Sequence, residues 1–249
     1  MTAGMETITP DGRGQLTTDM VFFRLEQTVQ LPAGSGWSQY GNNSGQRDVF
    51  IAGLTIADAP MPALTSAGGS WAEIVSTSGG GITYRVYSVG PSDVTLLVFS
   101  QRRPPVSAHM AGCELYKPDG SIVFSSDYPI ARPLGILSNT GYSGVSLAGR
   151  SVAHVPQKQE ANSAVNYTYT GQGSCQIGPY QGYQVYQRNQ WSRTSVVASG
   201  STAAAGGNFY SDSGTIQYMC ASSPSGVPLS QQIGSLGGWR SLILDITNL

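Results

Sequence analysis

The residues of this chain that could most readily do chemistry are four aspartates, Asp11, Asp19, Asp119 and Asp127. Paired carboxylates carry out acid–base and nucleophilic steps in glycoside hydrolysis, so these residues would suit a glycan depolymerase. However, Asp11 and Asp119 each stand between proline and glycine, where aspartate bonds back to its own backbone in a turn. All four also recur in two copies of one segment, as fold determinants do. We therefore expect no enzymatic activity.

Histidine, cysteine and serine form no recognisable catalytic or metal-binding pattern. The two histidines, His109 and His154, stand apart from any ligand cluster, which favours a structural His154 in an apolar strand. The three cysteines, Cys113, Cys175 and Cys220, lack zinc spacing and are typical of small buried side chains. The nucleophile-elbow, phosphate-loop and dinucleotide motifs are absent. We predict no metal and no cofactor.

An aromatic segment, residues 166–191, offers candidate binding positions, because tyrosine and tryptophan are rigid amphipathic anchors. These positions are Tyr180, Tyr183, Tyr186 and Trp191. In a strand, Tyr183 and Tyr186 would lie on opposite faces. Three interpretations stay open: the aromatic side chains pack in the core, form a subunit interface, or contact a glycan or receptor.

The composition indicates an all-β protein. Charged residues make up 11% of the chain, against roughly 25% in typical soluble domains, and 32 glycines accompany many serines and threonines. Short strands joined by glycine-rich turns fit that composition.

The longest basic run, Gln101-Arg102-Arg103-Pro104, is too short to neutralise a phosphate backbone, so no nucleic acid is expected. No apolar stretch nears the roughly 18 residues that a membrane helix needs, and the N-terminus does not resemble a secretion signal.

An internal repeat relates residues 3–24 to residues 111–132 without a gap, with eight identical positions. Each copy predicts a β-hairpin with a Pro-Asp-Gly turn, and Arg13-Gly14 indicates a bulge in the first. An Asp–Arg pair five residues apart would brace each hairpin against the next strand. The fold-determining positions are Asp11, Gly12, Asp19 and Arg24 in the first copy, and Asp119, Gly120, Asp127 and Arg132 in the second.

The remaining strands predict two tandem β-sandwich modules, residues 1–105 and 106–249, joined at Pro104-Pro105. Residues 49–54 are apolar throughout and predict a central strand. Residues 182–188 and 193–198 predict two separate strands in the second module.

The repeated segment, AGCELYKPDGSIVFSSDYPIAR in its second copy, resembles the start of small virion proteins encoded beside the tail-tip genes of long-tailed bacteriophages. The resemblance covers most of the first module and the first 22 residues of the second. It implies a tail-tip, baseplate or tail-fibre-associated structural protein, made in the host cytoplasm and located in the virion tail. The expected partners are other tail proteins and further copies of this chain, with a trimer favoured. The alternatives are a receptor-binding module that recognises a host pilus or glycan, and a glycan depolymerase.

Overall fold

The structure, a computed structural model, describes residues 4–9, 12–17, 22–34, 36–40, 44–90, 92–103, 113–158, 161–173, 181–221, 230–235 and 238–249. These residues form 18 strands and one turn of 3-10 helix, Ile56–Asp58. The strands are β1 (Gly4–Thr9), β2 (Gly12–Thr17), β3 (Arg24–Leu31), β4 (Ser38–Tyr40), β5 (Ser44–Ala52), β6 (Met61–Ser76), β7 (Gly81–Val89), β8 (Val94–Ser100), β9 (Glu114–Tyr116), β10 (Ile122–Ser125), β11 (Arg132–Ser138), β12 (Gly141–Gly144), β13 (Val152–Lys158), β14 (Ala161–Gly173), β15 (Gln181–Ser199), β16 (Thr202–Ala221), β17 (Ser230–Ser235) and β18 (Arg240–Asp245).

The all-β class is confirmed, and so are both predicted hairpins. β1 pairs with β2 and β9 pairs with β10 in two small antiparallel sheets, and the other 14 strands form one large sheet. The bulge predicted at Arg13-Gly14 is wrong, because the first hairpin keeps an unbroken register. The irregularity lies instead in the second hairpin, between Ile122 and Phe124.

The long strand β6 belongs to two layers of a sandwich. Its first part, Met61 to Ser66, pairs with β8, which in turn pairs with β3. Its last part, from Ser70, pairs with β7, which pairs with β5. Between the two parts lies Gly69, whose φ of +90° is a conformation that L side chains rarely adopt. A strand that bends in this way can pass from one sheet to the other at a sandwich corner.

An apolar core fills the space between these two layers. Its members alternate along their strands, as period-two burial requires. They are Leu31, Val49, Ile51, Leu54, Leu64, Ala72, Ile82, Tyr84, Val86, Val94, Leu96 and Val98.

Strands from the second half of the chain continue the same sheet. Leu64 of β6 lies opposite His154 of β13, and Ser70 lies opposite Val196 of β15. Beyond β13 follow β18, β11 and β12. The sheet is therefore continuous across the predicted boundary at residue 105, and the division into two modules stays a prediction.

Three local predictions are corrected by the structure. Residues 49–54 do not form a central strand: past Gln46, β5 pairs only with β7 among the described strands, and Phe50 is 55% exposed. Residues 182–188 and 193–198 belong to one strand, β15. Cys113 is half-buried, rather than buried.

Candidate functional site

The two halves of the chain meet where the segment after the second hairpin lies along the edge of β3. The amide of Leu25 donates to the carbonyl of Pro129 at 2.8 Å, and the amide of Ala131 donates to the carbonyl of Phe23 at 2.7 Å. Arg24 lies opposite Ile130 in an isolated antiparallel bridge. These backbone bonds fix the first repeat's arginine against the second repeat's hairpin.

A cavity of about 200 Å3 opens at this meeting point, and we call it the junction pocket. Four of its lining residues are cations, three are aromatic and none is a carboxylate. The lining residues are Phe22, Arg24, Gln101, Arg102, Arg103, Lys117, Ile122, Val123, Phe124, Ser125, Tyr128 and Ile130.

Arg24 forms the rigid wall of the pocket. Its Nε and Nη2 atoms donate to Glu26 Oε1 and Oε2 at 2.7 and 3.0 Å, in a bidentate pair whose side chains are 11% and 13% exposed. The Ser100 hydroxyl also donates to Glu26. The guanidinium carbon lies 5.2 Å from the centre of the Tyr128 ring, within cation–π range. Because its charge is already paired, Arg24 shapes the pocket more than it attracts a ligand.

Arg102 is also paired. Its Nη2 atom lies 3.5 Å from Asp58 Oδ2 and donates to the carbonyl of Gly53. Hydrogen bonds from the Thr55 amide and hydroxyl outweigh the effect of burial and, together with the charge of Arg102, hold the pKa of Asp58 below its usual range. This carboxylate anchors the arginine at the rim of the pocket.

Arg103 and Lys117 are the cations of the pocket that remain available. Both side chains are exposed, and within the described ranges neither has a carboxylate within salt-bridge distance. They line the pocket from two distant segments, the chain after β8 and the end of β9. Both cations help to lower the pKa of Asp119, and their charges otherwise act on solvent and on a group that enters the pocket.

The second repeat's turn forms as predicted. The Ser121 amide and hydroxyl donate to Asp119 Oδ1 at 2.9 and 2.6 Å, and these bonds lower the pKa of Asp119. Gly120 has a φ of +80°, and its amide donates to the Lys117 carbonyl at 2.9 Å. Asp119 is thus a turn residue that also fixes the backbone on which Lys117 stands.

The other repeat positions have different outcomes. Asp11 and Asp19 lie outside the described residues, while Gly12 begins β2 opposite Thr9. Arg132 lies 3.5 Å from the carboxylate of Asp245 and donates to the Thr247 carbonyl.

The bracing pair predicted between Asp127 and Arg132 stays a prediction. The backbone amide of Asp127 donates to Ser125 Oγ at 3.3 Å.

Three of the predicted aromatic positions lie on β15, and Tyr180 lies outside the described residues. Tyr183 pairs in register with residues 172 and 219, Tyr186 with 168 and 216, and Trp191 with 163 and 211. All three stand on a strand flanked by β14 and β16. The three interpretations of this segment stay predictions.

His154 is fully buried, as expected of a structural histidine. Its Nε2 lies 3.0 Å from the hydroxyl of Ser70 and its Nδ1 lies 3.4 Å from the hydroxyl of Ser241. Burial lowers the pKa of His154 to about 3, so the ring is neutral at pH 7. A hydroxyl beside an imidazole is the pair used in nucleophilic catalysis, but all three residues are 0% exposed and no substrate reaches them.

Within the described ranges, no group of three His, Cys, Asp or Glu side chains could hold a metal ion. In the same residues, no helix has the length and apolar character needed to cross a bilayer.

Sequence reasoning did not find the junction pocket. The signals were present: the basic run Gln101-Arg102-Arg103 and the aromatic residues inside both repeat copies, Phe22 and Phe124, whose ring centres lie 5.3 Å apart. Each signal was too short to predict a site alone. Comparison of the chain with protein-family models, curated proteins and solved structures finds no match.

Proposed function

We propose that this chain is a structural component of a bacteriophage tail, at the tip, the baseplate or the tail fibre. It assembles there with other tail proteins and with copies of itself, a trimer being the favoured oligomer. It is made in the host cytoplasm and works in the virion tail. The repeated hairpin segment and the all-β fold support this proposal, and one feature of the large sheet carries it.

That feature is the free edge of β16. This strand runs for 20 residues and pairs with β15 along its length. Among the described strands, none pairs with its other side. A long unpaired edge exposes backbone donors and acceptors to a strand from another chain. At roughly 3.3 Å per residue, β16 offers an edge of about 65 Å for such pairing.

The composition supports the same proposal. Only 11% of the residues are charged, and subunit interfaces are depleted of lysine, glutamate and aspartate at their cores. Natural proteins often protect exposed edges with such charges. A chain that has few charged residues and a long edge strand is suited to an assembled state.

The first test asks whether the protein is part of the particle. Particles purified by density gradient from an infected host should contain the protein at a fixed ratio to other tail proteins, measured by quantitative mass spectrometry. If this protein is abundant in the lysate but absent from purified particles, the proposal is refuted.

A second test addresses the edge itself. Light scattering after size exclusion should give an oligomer of the 26.2 kDa chain, and Thr215→Lys, in the middle of β16, should shift it to monomer. Thr202→Lys is the matched control, because Thr202 is exposed and begins β16 beside the turn to β15. A wild-type monomer, or equal dissociation by both substitutions, would argue against assembly through this edge.

A second candidate function is recognition of the host surface by this same protein. The observation that favours it is the junction pocket, which combines available cations with aromatic rings, as sites for charged surface glycans require. Labelled protein should then bind host cells, and Arg103→Gln should reduce that binding. Equal binding by the wild type and the variant would refute this role for the pocket.

A further inference from the structure

The junction pocket has the geometry of a ligand site that is separate from the β16 edge. It is built by two segments far apart in the sequence, and the backbone bonds between Phe23–Leu25 and Pro129–Ala131 hold them together. Its shape therefore does not depend on flexible loops alone. Preorganised sites bind small ligands without the cost of ordering their own walls.

The positive charge of the pocket lining favours a negatively charged ligand. All four charged lining residues are cationic, and two of them, Arg24 and Arg102, are held by Glu26 and Asp58 outside the lining. Arg103 and Lys117 remain to interact with an entering group. An arginine fork and a lysine ammonium are the donors that proteins use for carboxylate and phosphate oxygens.

The size of the junction pocket and its aromatic walls favour an anionic group that is attached to a single ring. A cavity of about 200 Å3 is smaller than the roughly 300–1,000 Å3 of sites for drug-sized ligands, so it fits one ring-sized unit. Phe22 and Phe124 pack against each other at 5.3 Å, and Tyr128 lies under Arg24. These rings offer apolar area to one face of such a unit.

We propose that the junction pocket binds a single anionic sugar unit, whose carboxylate or phosphate is held by Arg103 and Lys117 while its ring lies against the aromatic wall. Carboxylate and phosphate share the relevant chemistry, since both accept hydrogen bonds from these two cations. The inference does not depend on the proposed tail assembly, because none of these residues belongs to β16.

The experiment is isothermal titration of the full chain at low ionic strength with four probes: glucuronate, glucose 6-phosphate, glucose and inorganic phosphate. Both anionic sugars should bind at least tenfold more tightly than glucose, and more tightly than inorganic phosphate, which lacks the ring. The tighter of the two anionic sugars identifies the preferred group. Added salt should weaken the binding, because the two cations are exposed.

Variants locate the site. Arg103→Gln and Lys117→Gln should each weaken binding of the anionic sugars at least fivefold, and the double variant should abolish it. Arg240→Gln is the matched control, because Arg240 is exposed at the start of β18 and does not line the pocket. Thermal melting of each variant should match the wild type, since the replaced side chains are exposed and form no ion pair in the described part of the chain.

Three results would overturn the inference: no heat with either anionic sugar, equal affinity for glucose, or binding that persists in the double variant. Tyr128→Leu adds an independent readout for the ring. It should weaken the anionic sugars and leave inorganic phosphate unchanged; equal losses for both would refute the aromatic contact.

Discussion

Arg24 and Arg132 occupy the same position in the two repeat copies, and their surroundings differ. Each begins the strand after its hairpin, and each lies in register with the end of a strand, Ser100 of β8 or Asp245 of β18. Arg24 is 11% exposed, whereas the Arg132 side chain is 45% exposed. The backbone position is thus shared, while the surroundings decide what the guanidinium does.

Arg24 and Arg132 differ in exposure because their surroundings cover them to different extents. The segment from Tyr128 to Ala131 lies over Arg24 and closes one wall of the junction pocket. At Arg132 the carboxylate partner, Asp245, is shared with Arg150, whose Nη1 lies 2.6 Å from it. Arg24 is the main partner of Glu26, which is mostly buried. Arg132 is a second partner of Asp245, which is already paired with Arg150.

The interiors of the two halves differ in a second way. The core of the first half contains the hydroxyl of Tyr84, which has no hydrogen-bond partner among the described residues. The second half contributes His154, whose two ring nitrogens both have serine partners. The buried hydroxyl of Tyr84 is thus unsatisfied, whereas the buried ring of His154 is satisfied, and this contrast has measurable consequences.

The largest effect should come from the two arginines. Arg24→Gln leaves Glu26 mostly buried without its cation and should lower the free energy of unfolding by about 3 kcal/mol. Arg132→Gln should cost less than about 1 kcal/mol, because the side chain is exposed and Asp245 keeps Arg150. Urea unfolding measures both. A double-mutant cycle with Glu26→Gln should assign the loss to the pair. Equal losses for the two arginines would show that their different burial does not decide their contribution to stability.

The next effect is a pH dependence that arises from His154. Its pKa is about 3 in the fold and about 6.5 when unfolded, so the unfolded chain takes up a proton that the folded chain does not. Stability should therefore fall as the pH falls below 6.5, by about 2 kcal/mol between pH 6.5 and 5. Urea unfolding across this window should show a shallower slope for His154→Asn, which keeps a polar group for Ser70. An unchanged slope would place the titration elsewhere.

The smallest effect concerns Tyr84. Tyr84→Phe removes a buried hydroxyl without a partner and should raise the free energy of unfolding by about 1 kcal/mol. The matched control is Tyr87→Phe, since the Tyr87 hydroxyl donates to Glu73 Oε1 at 2.6 Å and its loss should destabilise by a similar amount. The two variants should therefore shift the melting temperature in opposite directions. Destabilisation by both would indicate that the Tyr84 hydroxyl is hydrogen-bonded.

Features set by neighbouring residues could be predicted from the sequence. The second hairpin follows from Pro118-Asp119-Gly120, because turn chemistry acts over four residues. The buried β8 follows from its mostly apolar sequence, in which residues 96–99 form a continuous apolar run. Features that depend on distant neighbours were not predictable in the same way. Residues 49–54 are apolar enough for a central strand, but no local sequence pattern predicts how many strands will pair with them.

The junction pocket is a further case of that limit. Arg103 and Lys117 are separated in the sequence by the strand β9 and the segment that precedes it, and no spacing rule relates them. The pair predicted between Asp19 and Arg24 stays a prediction, because Asp19 lies outside the described residues, while the structure pairs Arg24 with Glu26, two residues along its own strand. Local rules thus predicted the elements, and the sheet's long-range pairing determined the site.

The path of β6 between the two layers has a consequence for how the chain reaches its fold. Its pairs with His154 and Val196 join residues from the two halves of the chain, and such non-local pairing makes folding slow. During synthesis, a chain that has emerged only to residue 103 presents this edge of β6 without its partners, open to the wrong strand. We therefore expect the nascent chain to be protected from aggregation only when the C-terminal half has supplied β13 and β15, the partners of this edge.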